Sequence, residues 1–154
     1  MPEAAVLFVC LGNICRSPLA EAAFRAEAER AGLKVRADSA GTADYHVGEP
    51  PDPRAIRTAR VKGIDISGYR GRQASVADFH TFTHVFALDH SNLRNLEAIA
   101  PAGHSAHLGL LLDLVPGREG QAVADPWYGD EAGFEVTWAE VSAAARALVA
   151  ELSR

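Results

Sequence analysis

Two side chains that can do chemistry together stand near the start of the chain. Cys10 and Arg16 are separated by five residues in the run Cys10-Leu11-Gly12-Asn13-Ile14-Cys15-Arg16-Ser17-Pro18. A thiolate is a nucleophile. An arginine offers a planar fork that fits two phosphate oxygens. Gly12 lets the backbone between them turn sharply. The successive backbone N–H groups of residues 11–16 can then converge into an anion nest. A helix starting at Ser17 or Pro18 adds its positive end. The same dipoles stabilise a thiolate, and Ser17 can donate a hydrogen bond to the sulfur. A cysteine alone at a strand end is most often a buried filler. Cysteine, five residues, arginine and serine at a strand–loop–helix junction point instead to a phosphate cradle with a nucleophile at its base.

The elements around this run must place it. Ala4 to Val9 is apolar throughout, as a strand buried on both faces should be. The loop Cys10 to Arg16 follows. Ser17 reads as an N-cap and Pro18 as the first helical residue. Leu19, Ala22, Ala23 and Ala26 share a helix face, and Gly32 is the stop. Lys34 to Ser39 reads as a second strand. Asp52-Pro53 opens a helix that Gly63 closes. Thr83 to Leu88 and Ser105 to Leu110 read as third and fourth strands, with a helix from Ser91 to Ala100 between them that Pro101 ends. The last helix runs from about Asp130 to Leu152. Its stripe of Phe134, Trp138, Val141, Ala145, Leu148 and Leu152 is one buried face. Alternating strands and helices predict an α/β fold: a single three-layer domain, 1–154, with a four-stranded parallel sheet and helices on both faces. In such sheets ligands bind beyond the carboxyl ends of the strands, which is where the loop after the first strand lies.

Bulk properties narrow the class. A chain of 154 residues suits one domain with a real core. Apolar residues at 48% and charged residues at 23% are those of a globular protein. A formal net charge of -5 argues against a nucleic-acid partner. The apolar run Ala4 to Val9 is too short to span a membrane and lacks a signal peptide's basic flank and cleavage site. The expectation is a cytoplasmic protein with no membrane partner, monomeric with at most weak dimerisation. Cys10 and Cys15 are too close to staple a secreted fold. Cys15 is either a small apolar filler or a partner that traps Cys10 in a reversible disulfide under oxidation. The six histidines (46, 80, 84, 90, 104 and 107) show no metal-ligand spacing. No metal or organic cofactor is expected, because the nest and Arg16 can neutralise a phosphate.

The stretch Val9 to Pro18, VCLGNICRSP, closely resembles the low-molecular-weight protein tyrosine phosphatases. The likeness runs on through Asp38-Ser39-Ala40-Gly41-Thr42, His46-Val47-Gly48, Pro51-Asp52-Pro53-Arg54-Ala55, Gly63-Ile64, Arg72-Gln73 and Asp125-Pro126-Trp127-Tyr128-Gly129. That resemblance implies the roles. Residues Leu11 to Ser17 bind the phosphate. Asn13, Ser17 and Ser39 hold the loop in shape. Asp125 is the general acid, stiffened by Pro126. Tyr45, Trp127 and Tyr128 are walls for a flat ring. The resemblance also favours the redox-protective reading of Cys15. Family members often carry a tryptophan where Tyr45 stands and a tyrosine where Trp127 stands. Tyr69 occupies a position where members frequently have a histidine joined to the loop network, so no role passes to it. Asp89 and Asn92 read as helix-capping and structural.

The reaction implied is a two-step displacement. Cys10 attacks phosphorus, Arg16 and loop N–H groups hold the equatorial oxygens, and Asp125 protonates the leaving phenol. Water activated by Asp125 then cleaves the phosphocysteine. Three neighbouring readings stay open. Arsenate reductases share a similar loop but use further downstream cysteines, and this chain has none after Cys15. A phosphoarginine branch tends to carry threonine where Ile14 stands. A non-catalytic phosphate-binding module would have no use for Asp125.

Overall fold

Seven residues, Ala4–Cys10, form the central strand β1. Its residues alternate between two cores, as the two-residue period of a strand requires. Val6, Phe8 and Cys10 enter one core with Leu19, Phe24, Phe134 and Leu148. Ala5, Leu7 and Val9 enter the other with Phe79, Phe82 and Leu96. That double burial explains the unbroken apolar run. The computed structural model describes residues 3–127 and 129–154.

The remaining elements follow in order: α1 Arg16–Arg30, β2 Val35–Gly41, α2 Pro53–Val61, α3 Asp78–Thr81, β3 His84–Ala87, α4 His90–Ile99 and β4 His107–Leu110. A 3-10 turn, Leu111–Leu114, and the long helix α5, Glu131–Leu152, complete the chain. The sheet is four-stranded and parallel in the order β2-β1-β3-β4. The three-layer architecture read from the sequence is therefore present. The chain leaves β1 for β2 on one side and later returns to β3 on the other. The end of β1 is thus a topological switch point, where flanking loops part and leave a crevice. Among the described residues no helix is long and apolar enough to cross a membrane.

Boundaries differ from expectation where a side chain has a better use. Ser17 is not the N-cap of α1. The helix begins one residue earlier, at Arg16, and Cys15 in the cap position makes no side-chain capping bond. The Ser17 hydroxyl is spent on the site instead. Ser39 is buried and lies inside β2, which runs on to Gly41 rather than ending at Ser39. Asp52 caps α2 by accepting from Arg54 N at 2.8 Å, and Asp89 caps α4 by accepting from Asn92 N at 2.7 Å. In α5, Phe134, Val141, Ala145 and Leu148 are buried, while Trp138 and Leu152 pack partly buried against the same core. The helix α3 and the 3-10 turn are each four residues long, too short to leave a periodic signal.

Candidate active site

The loop after β1 is built around Asn13. Its φ of 60° is the one positive value at a non-glycine residue among those described, and asparagine is among the few residues that tolerate it. The side chain of Asn13 is fully committed. Its amide nitrogen donates to Ser17 Oγ at 2.8 Å and to Ser39 Oγ at 3.0 Å. Its amide oxygen accepts from Arg72 N at 3.0 Å. Each serine hydroxyl, having accepted from Asn13, keeps one proton to pass on. Ser17 Oγ lies 3.0 Å from Cys10 Sγ, and Ser39 donates to Glu21 Oε1 at 2.8 Å. The backbone N–H of Asn13 also donates to Cys10 Sγ, at 3.3 Å. Two donors thus converge on the sulfur.

The outer edge of the loop is tied down through its carbonyls. Those of Cys10, Leu11 and Ile14 accept from the amides of Thr42, Ala43 and Asp52 at 2.9, 3.0 and 2.9 Å. In a trans peptide the N–H points opposite to the C=O, so the amides of Gly12 and Cys15 turn toward the interior of the loop. The contact with the end of β2 needs a glycine: a Cβ on Gly41 would fall 2.7 Å from Leu11 O.

Arg16 is only 4% exposed, and a buried guanidinium needs partners. One terminal nitrogen donates to Asp89 Oδ2 at 2.9 Å and to Val123 O at 3.2 Å; the other lies 3.6 Å from Asp125 Oδ2. Asp89 therefore does more than cap α4: it also aims Arg16. Asn92 completes this corner once its amide is turned so that the nitrogen faces Asp89 Oδ1 at 2.9 Å and the oxygen faces Leu11 N at 3.3 Å.

Asp125 comes from the loop between the 3-10 turn and α5. Its carboxylate is half-exposed, and its Oδ1 accepts from Trp127 N at 3.0 Å. The preceding residues are pinned: Val123 N donates to Leu88 O at 2.8 Å, and Ala124 bonds Glu140 and Thr137 of α5. A cleft of about 310 Å³ joins these parts. Cys10, Arg16 and residues Leu11 to Cys15, Asn13 apart, line its base, Asp125 its edge, and Tyr45, His46 and Trp127 its walls. Asn13 lies beneath, buried in its network. Tyr128 lies outside the described residues. A larger hollow, about 900 Å³, opens between α1 and α5 near Trp138 and contains none of the loop residues, so it has no part in this chemistry.

Sequence reasoning missed four contributors. His46 forms part of the wall, its ring 6.5 Å from that of Trp127. Its neighbour Tyr45 and the run His46-Val47-Gly48 were the only signals for it. Arg54 reaches the acid loop, as described below. Glu21 and Arg25, on α1, end the network that begins at Cys10. Burial pushes the Glu21 carboxyl above its ordinary value, while Arg25, at 2.8 Å, and Ser39 pull it back. Tyr69 packs beside them. Its phenol is pushed up to about 12, by burial first and the charge of Glu21 second.

Cys10 and Cys15 are both free and buried. Burial, reinforced by the Asp52 carboxylate, pushes the Cys15 thiol far above its ordinary value, so it stays protonated at neutral pH. Among the described residues no cluster of three or more His, Cys, Asp and Glu side chains is grouped to hold a metal ion.

A strand-end cysteine, a coiled loop, a buried arginine and a carboxylate at one cleft define a phosphate-handling α/β enzyme. The comparisons with known proteins make this specific. The family described as low molecular weight phosphotyrosine protein phosphatase matches residues 5–154. A phosphatase of that description from Schizosaccharomyces pombe is 46% identical over 132 residues, covering 84% of each chain. The crystal structure of a protein tyrosine phosphatase from Entamoeba histolytica superposes with a TM-score of 0.92 at 33% identity, covering 98% of this chain and 97% of that one. A Drosophila arginine phosphatase superposes with a TM-score of 0.91 at 29% identity, covering 97% and 98%. The chain belongs to the low-molecular-weight phosphotyrosine protein phosphatase family.

Proposed function

We propose that this protein hydrolyses phosphotyrosine in proteins, and small aryl phosphates, through a phosphocysteine on Cys10. The observation that carries this reading is the convergence of Cys10, Arg16 and Asp125 on one cleft with aromatic walls. The phosphate sits in the loop of residues 11–17, where Arg16 and the inward amides neutralise its charge. Asn13, Ser17 and Ser39 hold that loop and direct hydrogen bonds at the sulfur. The Cys10 thiolate attacks phosphorus in line with the leaving oxygen. Asp125 gives its proton to that oxygen, and the phenol departs. Asp125, now a carboxylate, takes a proton from water, which attacks the phosphocysteine and releases phosphate. Charge on the equatorial oxygens is met throughout by fixed donors, which is the largest source of rate in such sites.

The aromatic walls of the cleft favour an aromatic ester. Tyr45 and Trp127 can flank a ring whose phosphate reaches Arg16. Ile14 leaves the loop edge apolar, which suits an aryl group better than a guanidinium. Cys15, kept as a thiol, would protect Cys10. A peroxide converts the Cys10 thiolate to a sulfenic acid, and the Cys15 thiol condenses with it, releasing water and forming a disulfide. We further propose that residues 1–154 act as one domain in the cytoplasm. It would be monomeric or weakly dimeric, without a nucleic-acid or membrane partner, and without metal or organic cofactor.

The test is phosphate release from a phosphotyrosine peptide at mildly acidic pH with a chelator present. Phosphoserine and phosphoarginine run beside it. Turnover of phosphotyrosine that Cys10→Ser abolishes supports the reading. Preference for phosphoarginine would keep the mechanism and replace the substrate. No turnover of any of them by reduced protein would sink it.

A further inference from the structure

One arginine joins the two halves of the site. Arg54, at the start of α2, is gripped by Asp52 from two sides: Nε to Oδ1 and a terminal nitrogen to Oδ2, both at 3.0 Å. Asp52 in turn donates its backbone N–H to Ile14 O of the phosphate loop at 2.9 Å. The other terminal nitrogen of Arg54 crosses to the acid loop. It donates to Trp127 O at 3.2 Å and to Gly129 O at 3.1 Å. The guanidinium also lies over two rings, 5.5 Å from the centre of Trp127 and 4.8 Å from that of Phe134. Lysine could supply the charge but not this fork and flat face together.

We propose that Arg54 is a positioning residue that sets Asp125 over the phosphate loop. The link is mechanical. Asp125 Oδ1 is fastened to Trp127 N, so the carboxylate follows the Trp127 backbone, and that backbone is held by Arg54 on one side. The far end of the brace is the phosphate loop itself, through Asp52 and Ile14. The acid is thereby indexed to the same loop that carries the nucleophile. Misplacing a proton donor by about an ångström is enough to cost on the order of 10²-fold. The inference rests on Asp125 being the acid, as proposed above.

The experiment compares aryl phosphates with good and poor leaving groups across wild type, Arg54→Ala, Arg54→Lys, Asp125→Ala and the double variant Arg54→Ala/Asp125→Ala. Arg54→Ala should lower kcat about tenfold or more on poor leaving groups and much less on good ones. Inhibition by inorganic phosphate should be unchanged, because the loop and Arg16 are intact. Arg54→Lys should restore only part of the loss. In the double variant Arg54→Ala should cost nothing beyond Asp125→Ala, since an absent acid cannot be misplaced. An equal loss on both leaving groups, a weakened phosphate inhibition, or additive losses in the double variant would overturn the positioning role. If Asp125→Ala itself showed no leaving-group dependence, the acid reading would fail first and this inference with it. Should Arg54→Ala not fold, Arg54→Lys carries the same comparison.

Discussion

The phosphate loop and the acid loop meet at one cleft, but they are built in opposite ways. The phosphate loop is contiguous, buried and held from within. Asn13 alone fixes two serines, one backbone amide and, through its own N–H, the sulfur. The acid loop arrives from more than a hundred residues away, and its carboxylate is half-exposed. It is held from outside, by Arg54 on its far side and by α5 through Thr137 and Glu140. The difference fits the roles proposed for them. A cradle for a doubly charged group must be rigid before the ligand comes, because its donors act only if they need not reorganise. A proton donor must stay reachable by substrate and water, and exposure is the cost of access.

That contrast predicts a hierarchy. The largest effect belongs to Cys10→Ser, which should lower kcat by at least on the order of 10⁴-fold while leaving phosphate binding in place. Single-turnover kinetics with a phosphotyrosine peptide, beside a phosphate-binding titration, would separate the two. Loss of binding along with rate would mean that the cradle depends on its sulfur and is less self-contained than described. Next comes Asp125→Ala. It should cost on the order of 10²–10⁴-fold on poor leaving groups and little on good ones. Its stability should be close to wild type, because the side chain is half-exposed and makes only one hydrogen bond, from Trp127 N, beside a long 3.6 Å ion pair with Arg16.

Within the cradle, strain and hydrogen bonding can be separated at Asn13. Asn13→Gly keeps the backbone free to sit at positive φ but strands the hydroxyls of Ser17 and Ser39 and the amide of Arg72. A drop of about tenfold in kcat is expected, with about 1–3 kcal/mol of stability lost to the unpaired groups. Asn13→Ala loses the same bonds and adds the cost of a left-handed alanine, about 1 kcal/mol more. Equal stabilities for the two variants in denaturant unfolding would show that the loop relaxes out of its positive φ, and that the cradle is not rigid.

How much of this was legible follows the same division. The phosphate loop could be read because its parts are consecutive: strand, cysteine, glycine, arginine, serine and helix lie in one run, and spacing alone implied their meeting. The fold was legible for a similar reason, since β1, buried on two faces, has to be apolar throughout. Asp125 could be placed only through resemblance, because no local pattern tells which strand-end loop will fold back on Cys10. Asp89 was read as a cap, which it is. Its second bond, to Arg16, depends on β3 lying beside β1 and leaves no trace in spacing. Ser17 was given the wrong local task because a serine before a proline is the usual sign of an N-cap. The tertiary demand at Cys10 outweighed it. Glu21, Arg25 and Arg54 sit on helices as ordinary charges would. What distinguishes them is what lies across from them, and that is set by the packing of helices.

The smallest expected effect tests the span between the two loops rather than either loop. The hydrogen bonds from Arg54 hold the Asp52 carboxyl below its ordinary value of 3.8, against an opposing push from partial burial. A carboxyl depressed in the folded state contributes stability above its unfolded value. That contribution fades as pH falls below about 3.8 and through the lower folded value. Asp52→Asn keeps a good helix cap but gives up the charge-assisted pair with Arg54. At neutral pH it should be less stable than wild type by about 0.5–1.5 kcal/mol. At acid pH, below about 3.8 and on through the lower folded value, the gap should narrow, because the charged carboxyl then ceases to favour the folded state. Denaturant unfolding at the two pH values measures this directly. A gap that stays constant with pH would show that the loss does not come from the charge of Asp52. The brace from Ile14 to the acid loop would then rest on the stacking of Arg54 over Trp127 and Phe134 and on its bonds to the Trp127 and Gly129 carbonyls.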